Sequence, residues 1–129
     1  NVWNTIEHNE IAETVTRALE KMFPEDPPRF MARVPHGYCD GGLIARHLAE
    51  GGFARRPVIS TLAARSRAPS SSIAAVAYCQ GTPLRSEIEA RGPARLLEAT
   101  DVAAAAIRDR FGSGAVDGKI QAKIVVAER

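Results

Sequence analysis

Apolar side chains recur every three or four residues near the start of the chain, a spacing that predicts an amphipathic helix. The positions in this stripe are Ile6, Ile11, Val15, Ala18, Leu19 and Met22. Asn4 and Glu7 have the spacing of a capping box, so the helix is expected to begin beside them. It is expected to end near Phe23, because Pro24 and the two prolines after it disfavour helical backbone.

The middle of the chain is predicted to contain a short helix and one strand. Residues 29–38 follow the prolines and are expected to be irregular. Asp40 can cap the short helix, whose apolar face includes a packed His47, and the glycines at positions 51 and 52 can end it. Residues 57–67 alternate loosely between apolar and polar side chains, which predicts a strand.

Three more helices are predicted in the second half of the chain. Ser70 can cap a helix over residues 71–80, and Thr82 can cap a shorter one that follows. The longest helix is expected over residues 93–111 and is ended by Gly112. Its apolar stripe consists of Leu96, Leu97, Thr100, Ala103, Ala104, Ile107 and Phe111.

These patterns together predict a small α+β fold. Residues 119–127 alternate regularly, with Ile120 and Ala122 on one face of a strand and Gln121 and Lys123 on the other. About five helices would cover a sheet of two or three strands, because so few strands form a marginal sheet by themselves. No internal repeat or linker is visible in the 129 residues, so residues 1–129 are expected to form a single domain.

Composition and charge narrow the class of protein without naming a function. Apolar residues make up 45% of the chain and charged residues 25%, which excludes wholesale disorder and a fibrous repeat. The formal net charge of +2 gives no reason to expect a nucleic-acid partner. The sequence contains neither an apolar run of the roughly 20 residues that a membrane span needs nor a secretion signal, so we expect no membrane partner and a cytoplasmic location. Cys39 and Cys79 are expected to be reduced thiols.

One loop gathers side chains that could carry chemistry. His36, Tyr38, Cys39 and Asp40 lie together, and a histidine near a carboxylate could act as a general base or contribute to a metal site. The alternative is a simple turn with a half-buried tyrosine and a solvated histidine. Without a third ligand in the pattern, the second interpretation is favoured.

A second polar group surrounds a helix-breaking glycine. Gln80, Thr82 and Arg85 flank Gly81 and could point polar groups into a cleft. A kinked pair of helices with Thr82 as the cap explains the same residues equally well.

The chain has no glycine-rich turn between a strand and a helix, which is the arrangement that binds nucleotide phosphates. The nearest approach is a group of glycines that follows a helix and precedes a strand, and we interpret this group as a turn. Its members are Gly112, Gly114 and Gly118.

Residues 79–91 have the sequence CQGTPLRSEIEAR. In this stretch, the chain resembles the C-terminal half of a class I S-adenosylmethionine-dependent methyltransferase of the type 11/12 kind. Residues 1–3 look like the end of the fifth strand of that fold. Residues 35–53 resemble the segment and helix before its sixth strand, residues 57–67 the sixth strand, and residues 119–127 the last, antiparallel strand. The resemblance implies that this last strand is central in the sheet of a Rossmann-like fold.

The resemblance also implies what this chain lacks. Members of the family hold S-adenosylmethionine with a glycine-rich turn after the first strand and an acidic residue after the second, and both are absent here. The expected function is therefore the acceptor-side lid of a parent small-molecule methyltransferase, with no cofactor bound and no catalysis by this chain alone. The residues expected to line the pocket for the small-molecule acceptor are Trp3, His36, Tyr38, Gln80, Thr82 and Arg85.

Two further expectations concern the state of the chain. A missing neighbour for the strand at residues 1–3 would leave unpaired amides and apolar surface, so the chain is expected to be a homodimer. The alternative to the methyltransferase interpretation is a self-contained α+β ligand-binding or dimerisation module without catalysis. That module would use the loop at residues 36–40 and the Gln80 region as its ligand cleft.

Overall fold

The computed structural model describes residues 1–128, which form an open three-stranded sheet and six α-helices. The strands are β1 (Val2–Trp3), β2 (Val58–Ala68) and β3 (Val116–Val126). The helices are α1 (Glu10–Met22), α2 (Phe30–Arg33), α3 (Gly41–Glu50), α4 (Ser71–Cys79), α5 (Leu84–Ala90) and α6 (Leu96–Phe111). The predicted α+β class is confirmed.

The last strand lies in the centre of the sheet, in the order β1-β3-β2. β3 is antiparallel to both neighbours, with Trp3 opposite Ala122 and Val58 opposite Val126. The predicted order and direction of the last strand are therefore confirmed. The β2–β3 pair extends over eleven residues on each strand, whereas β1 contributes two.

The hydrophobic core lies among α1, α4 and α6. From α1, Ile11, Val15 and Leu19 are almost completely buried, and they follow one another at the four-residue spacing of a helix face. Small residues at the same spacing on α6, Ala99 and Ala103, allow the neighbouring helices to approach closely. Leu97 was expected in the buried stripe of α6 but is 71% exposed, because it lies one position away from this spacing.

The sheet joins this core at only one end. Val116 and Gly118 of β3 are buried there, and a Cβ atom at Gly118 would lie 2.8 Å from Ile11 Cγ1. Gly118 was predicted to be part of a turn, but it lies within β3, where the close approach of α1 requires glycine. Only Gly112 of the three glycines has a positive φ, at 94°, and it ends α6 as predicted.

The side-chain caps at Asp40 and Ser70 were predicted correctly, but the start of α1 was not. The Asp40 carboxylate accepts a hydrogen bond from Leu43 N at 2.6 Å, and Ser70 Oγ accepts one from Ile73 N at 3.2 Å. The capping box at Asn4 does not form, because the Asn4 amide donates to Gln121 Oε1 at 2.9 Å across the sheet. α1 instead begins at Glu10, after a 3-10 turn at Ile6–His8.

Candidate functional site

A small pocket lies beside β1, and it is the place where two of the predicted site residues meet. Its volume is about 170 Å³. The lining residues are Trp3, Asn9, Met31, Pro35, His36 and Tyr78. The ring centroids of Trp3 and His36 are 6.1 Å apart, and the ring planes are tilted by 43°. The resemblance assigned both residues to the acceptor pocket, and the fold brings them together from 33 positions apart.

α2 brings Met31 to the pocket and precedes Pro35 and His36, although this segment was expected to be irregular. The start of the helix is fixed by a carboxylate from α5: Glu87 Oε2 accepts from Arg29 N at 2.7 Å and Phe30 N at 3.0 Å. Arg33 Nη2 donates to the other oxygen of Glu87 at 2.9 Å. Partial burial disfavours the Glu87 carboxylate, but these three donors outweigh it and lower the pKa of Glu87 below its usual value.

His36 is buried, and its ring is held by one hydrogen bond to the backbone. Its ring Nδ1 lies 2.9 Å from the carbonyl oxygen of Asn4, and the residue is only 7% exposed. Because a carbonyl can only accept, Nδ1 carries the hydrogen in this bond. Burial lowers the pKa of His36 below 6.5, against the opposing effects of the Asn4 bond and the Glu7 charge. The interpretation of His36 as a solvated turn residue is wrong.

Asn9 forms a fixed wall of the pocket, because both ends of its amide are occupied. Its Nδ2 donates to the carbonyl oxygens of Thr5 at 3.0 Å and Asn4 at 3.4 Å. Its Oδ1 accepts from the backbone N–H of Gln121 in β3 at 3.1 Å. Glu10 Oε2 similarly accepts from Lys119 N at 2.6 Å. The side chains of Asn9 and Glu10 therefore bond to the edge of β3 just beyond the residues that pair with β1.

Tyr38 does not line this pocket and pairs with His47 of α3 instead. The two rings stack with centroids 5.7 Å apart and planes 13° apart, and Tyr38 Oη lies 2.9 Å from His47 Nδ1. His47 was expected to be packed on the apolar face of its helix, but it is exposed. Ile44 is the residue of α3 that is buried.

Gln80, Thr82 and Arg85 also lie outside the lining of this pocket, and each has a partner within the helices. Gln80 Nε2 donates to Thr100 Oγ1 at 3.1 Å. Thr82 Oγ1 accepts from Leu84 N at 3.2 Å and donates to Tyr78 O at 2.7 Å. Arg85 Nε donates to Glu89 Oε1 at 2.8 Å on the surface of α5. Thr82 thus joins α4 to α5, as in the alternative of a kinked pair of helices, whereas Gln80 bonds to α6 and Arg85 pairs within α5.

Four residues that line the pocket were missed: Asn9, Met31, Pro35 and Tyr78. Tyr78 lies four positions after the buried Ala74 of α4, so the helical period could have placed it toward the core. Met31 and Pro35 carry no comparable signal, because their positions depend on the distant Glu87. Burial raises the pKa of the Tyr78 hydroxyl, which keeps it protonated.

Burial disfavours the reactive thiolate form of Cys79, and the described residues contain no metal-binding cluster. Both cysteines are free, and burial raises the pKa of the Cys79 thiol to about 11, with the Thr100 hydrogen bond acting in the opposite direction. Within residues 1–128, no group of three His, Cys, Asp or Glu side chains is arranged to hold a metal ion.

The described residues do not contain the strand and glycine arrangement in which Rossmann-like folds bind a nucleotide cofactor. Nucleotides bind in Rossmann-like folds at the carboxyl ends of parallel strands, beside a glycine-rich turn into a helix. In residues 1–128 both pairs of neighbouring strands are antiparallel, and the glycines near 112 follow a helix instead of preceding one.

Within the described residues, no helix has both the length and the apolar character that crossing a membrane requires.

Comparison with protein-family models gives no match for this chain, and a search of curated proteins likewise gives none.

Proposed function

We propose that this chain is the C-terminal, acceptor-side half of a small-molecule methyltransferase of the S-adenosylmethionine-dependent class I kind, and that it acts in the cytoplasm. In this proposal, the parent protein performs the transfer, and the present chain forms one wall and the lid of the acceptor pocket. The chain by itself neither holds the methyl donor nor catalyses the reaction.

The order of the strands is the observation that carries the proposal. The resemblance implies that the last strand inserts between the fifth and sixth strands of the fold, antiparallel to both. β3 lies between β1 and β2 in this way, although β1 and β2 are 54 residues apart in the chain. Sequential strands usually pair, so chain order alone would favour a β1–β2 pair. The resemblance instead requires β3 between them, and a sheet with another strand order would not have met this requirement.

The pocket beside β1 supports the acceptor side of the proposal. Trp3 and His36, two of the residues to which the resemblance assigns acceptor contacts, line it together. In the parent, the outer edge of β1 would pair with a further strand, which would place this pocket next to the half that holds the donor. Acceptor contacts by Tyr38, Gln80, Thr82 and Arg85 belong to the same proposal, although each of these side chains also has a partner within the chain.

We also propose that the isolated chain is a homodimer. Directly opposite residues of antiparallel strands share one face of the sheet, so Trp3, Leu62, Val58 and Val126 lie on the same face. Leu62 is 54%, Val58 69% and Val126 55% exposed. α1 covers this face near Gly118, and the apolar side chains collected on the part that it leaves uncovered favour association.

The reading frame upstream of the Asn1 codon tests the proposal. We expect it to remain open and to encode four strands alternating with helices, with a glycine-rich turn after the first strand and an acidic residue after the second. A start codon immediately before Asn1 would contradict the proposal and would favour the self-contained ligand-binding or dimerisation module.

A further inference from the structure

We propose that the pocket beside β1 binds a single planar ring that carries one hydroxyl, amino or thiol group, and that this group donates a hydrogen bond to Nε2 of His36. The identification of this ring compound with the methyl acceptor rests on the proposed function, but its binding by the chain does not.

The size and walls of the pocket fit one ring. A volume of about 170 Å³ is close to that of the engineered apolar cavity of about 150 Å³ that binds benzene. Two aromatic side chains, Trp3 and Tyr78, can pack against the edge or face of a ring. Met31 and Pro35 complete the apolar lining, and a thioether also makes favourable contacts with aromatic rings.

His36 provides the pocket with an unoccupied acceptor atom whose protonation is set by the fold. The Asn4 carbonyl holds Nδ1 as the protonated nitrogen, so the neutral ring has a lone pair at Nε2. Among residues 1–128, no hydrogen-bond partner is found for Nε2. Within the described part of the chain, Thr16 Oγ1 is the one fully buried side-chain oxygen or nitrogen that lacks a hydrogen-bond partner. Since Nε2 of His36 also lacks a partner, it is not fully buried and is accessible to a ligand.

The protonation state of His36 decides which chemical class of ligand fits. A neutral imidazole with Nδ1 occupied can only accept at Nε2, so the ligand must donate. A carboxylate or phosphate would place its lone pairs against that of Nε2 and is disfavoured. The amide of Asn9 is fully occupied and provides no competing polar contact. The Tyr78 hydroxyl and the Trp3 indole N–H, which have no partner among residues 1–128, can donate to the oxygen, nitrogen or sulfur of the ligand's polar group.

Paired titrations of the chain with phenol and toluene test the inference. The two probes are of similar size, and only phenol can donate a hydrogen bond. Trp3 is the one tryptophan in the sequence, so its fluorescence, excited where neither probe absorbs, reports binding at this pocket. The measured quantity is the ratio of the Kd for phenol to the Kd for toluene, which removes any general effect of a substitution on the cavity.

His36→Leu is expected to raise this ratio by about 3- to 10-fold, the range that one net hydrogen bond supplies. His47→Leu, which changes an exposed histidine outside the pocket, is the matched control and should leave the ratio unchanged. If His36→Leu does not fold, ¹⁵N NMR of the unaltered chain decides the question, because phenol should shift the Nε2 resonance and toluene should not.

Three results would overturn the inference: neither probe perturbs Trp3, the Kd ratio is the same with and without His36, or phenol leaves the Nε2 resonance unmoved. None of them bears on the upstream reading frame, so the methyltransferase proposal would survive each one. Conversely, a start codon before Asn1 together with a ratio that depends on His36 would remove the methyltransferase and leave a ring-binding module.

Discussion

His36 joins two parts of the chain that are far apart in sequence, because its ring is bonded to the backbone of Asn4 beside β1. Its burial disfavours the charged imidazolium, and this effect exceeds the opposing contributions of the Asn4 carbonyl and Glu7. The unfolded chain has no such burial, so folding and the protonation of His36 are linked.

The first prediction concerns the pH dependence of stability. Since the folded pKa of His36 lies below 6.5, the unfolded chain binds more protons just below that pH, and the free energy of unfolding should fall as the pH decreases from about 6.5 through the lower, folded pKa. An NMR titration of the His36 ring gives the folded pKa directly. A value at or above 6.5 would contradict the assigned burial and hydrogen bonding.

Trp3 and His36 meet in the pocket, whereas another predicted site residue, Arg85, lies elsewhere. The candidate list contained Trp3 and His36 because they are an aromatic and a titratable side chain at positions matching the methyltransferase resemblance. The same criteria selected Arg85, which forms an ordinary surface pair with Glu89. Residue type alone cannot separate these cases, because the difference lies in contacts between distant segments.

At the scale of elements, the short helix α2 depends on a carboxylate from another helix. One turn of helix is unstable alone, and Glu87 satisfies two backbone N–H groups at its start. Met31 lies in this turn, and Pro35 and His36 follow it. The positions of these three pocket residues therefore depend on Glu87.

Glu87→Gln should lower the free energy of unfolding by about 1 kcal/mol, a figure that allows for the solvent exposure of the Arg33 pair. Glu89→Gln on the same helix is the matched control. Its pair with Arg85 is a surface contact of the i,i+4 kind, so a loss of about 0.3–0.5 kcal/mol is expected. Urea unfolding of both variants measures the difference, and equal losses would show that Glu87 does not fix α2.

β3 and α1 are in close contact at Gly118, which has no side chain to separate them. Gly118→Ala should destabilise the chain by about 1–3 kcal/mol, because the new Cβ would overlap Ile11. Gly114→Ala is the control, since a Cβ there meets nothing within 4 Å. Thermal unfolding of the two variants provides the comparison; similar midpoints would mean that the strand and helix are not packed this closely.

The elements fall into two groups by how well the sequence predicts them. α6, β3 and the caps at Asp40 and Ser70 depend on neighbours within a few residues, and the patterns located them. The start of α1 depends on a bond from Asn4 to Gln121, and α2 depends on Glu87. A local pattern contains no information about such partners, so these two elements were misplaced or missed.

At the scale of the whole molecule, the sheet is covered unevenly. Helices pack on the end of β3 near Val116, whereas β2 is exposed along much of its length. β2 is also an edge strand of eleven residues, which is long for an unprotected edge. We therefore expect the chain to form a homodimer that covers the apolar face carrying Leu62.

Leu62→Lys should convert the dimer to a monomer at micromolar concentration, because a charge on the covered face would have to be buried without a partner. Leu97→Lys is the control, since Leu97 is even more exposed but lies on α6, away from the sheet. Analytical ultracentrifugation distinguishes the two states. A stable monomer before any substitution would contradict the prediction.

Calorimetric titration with S-adenosylmethionine tests most directly the claim that this chain is the acceptor half of a methyltransferase. We expect the product of the complete reading frame to bind one molecule per chain and residues 1–129 alone to release no binding heat. Specific binding by residues 1–129, or none by the complete product, would contradict the account.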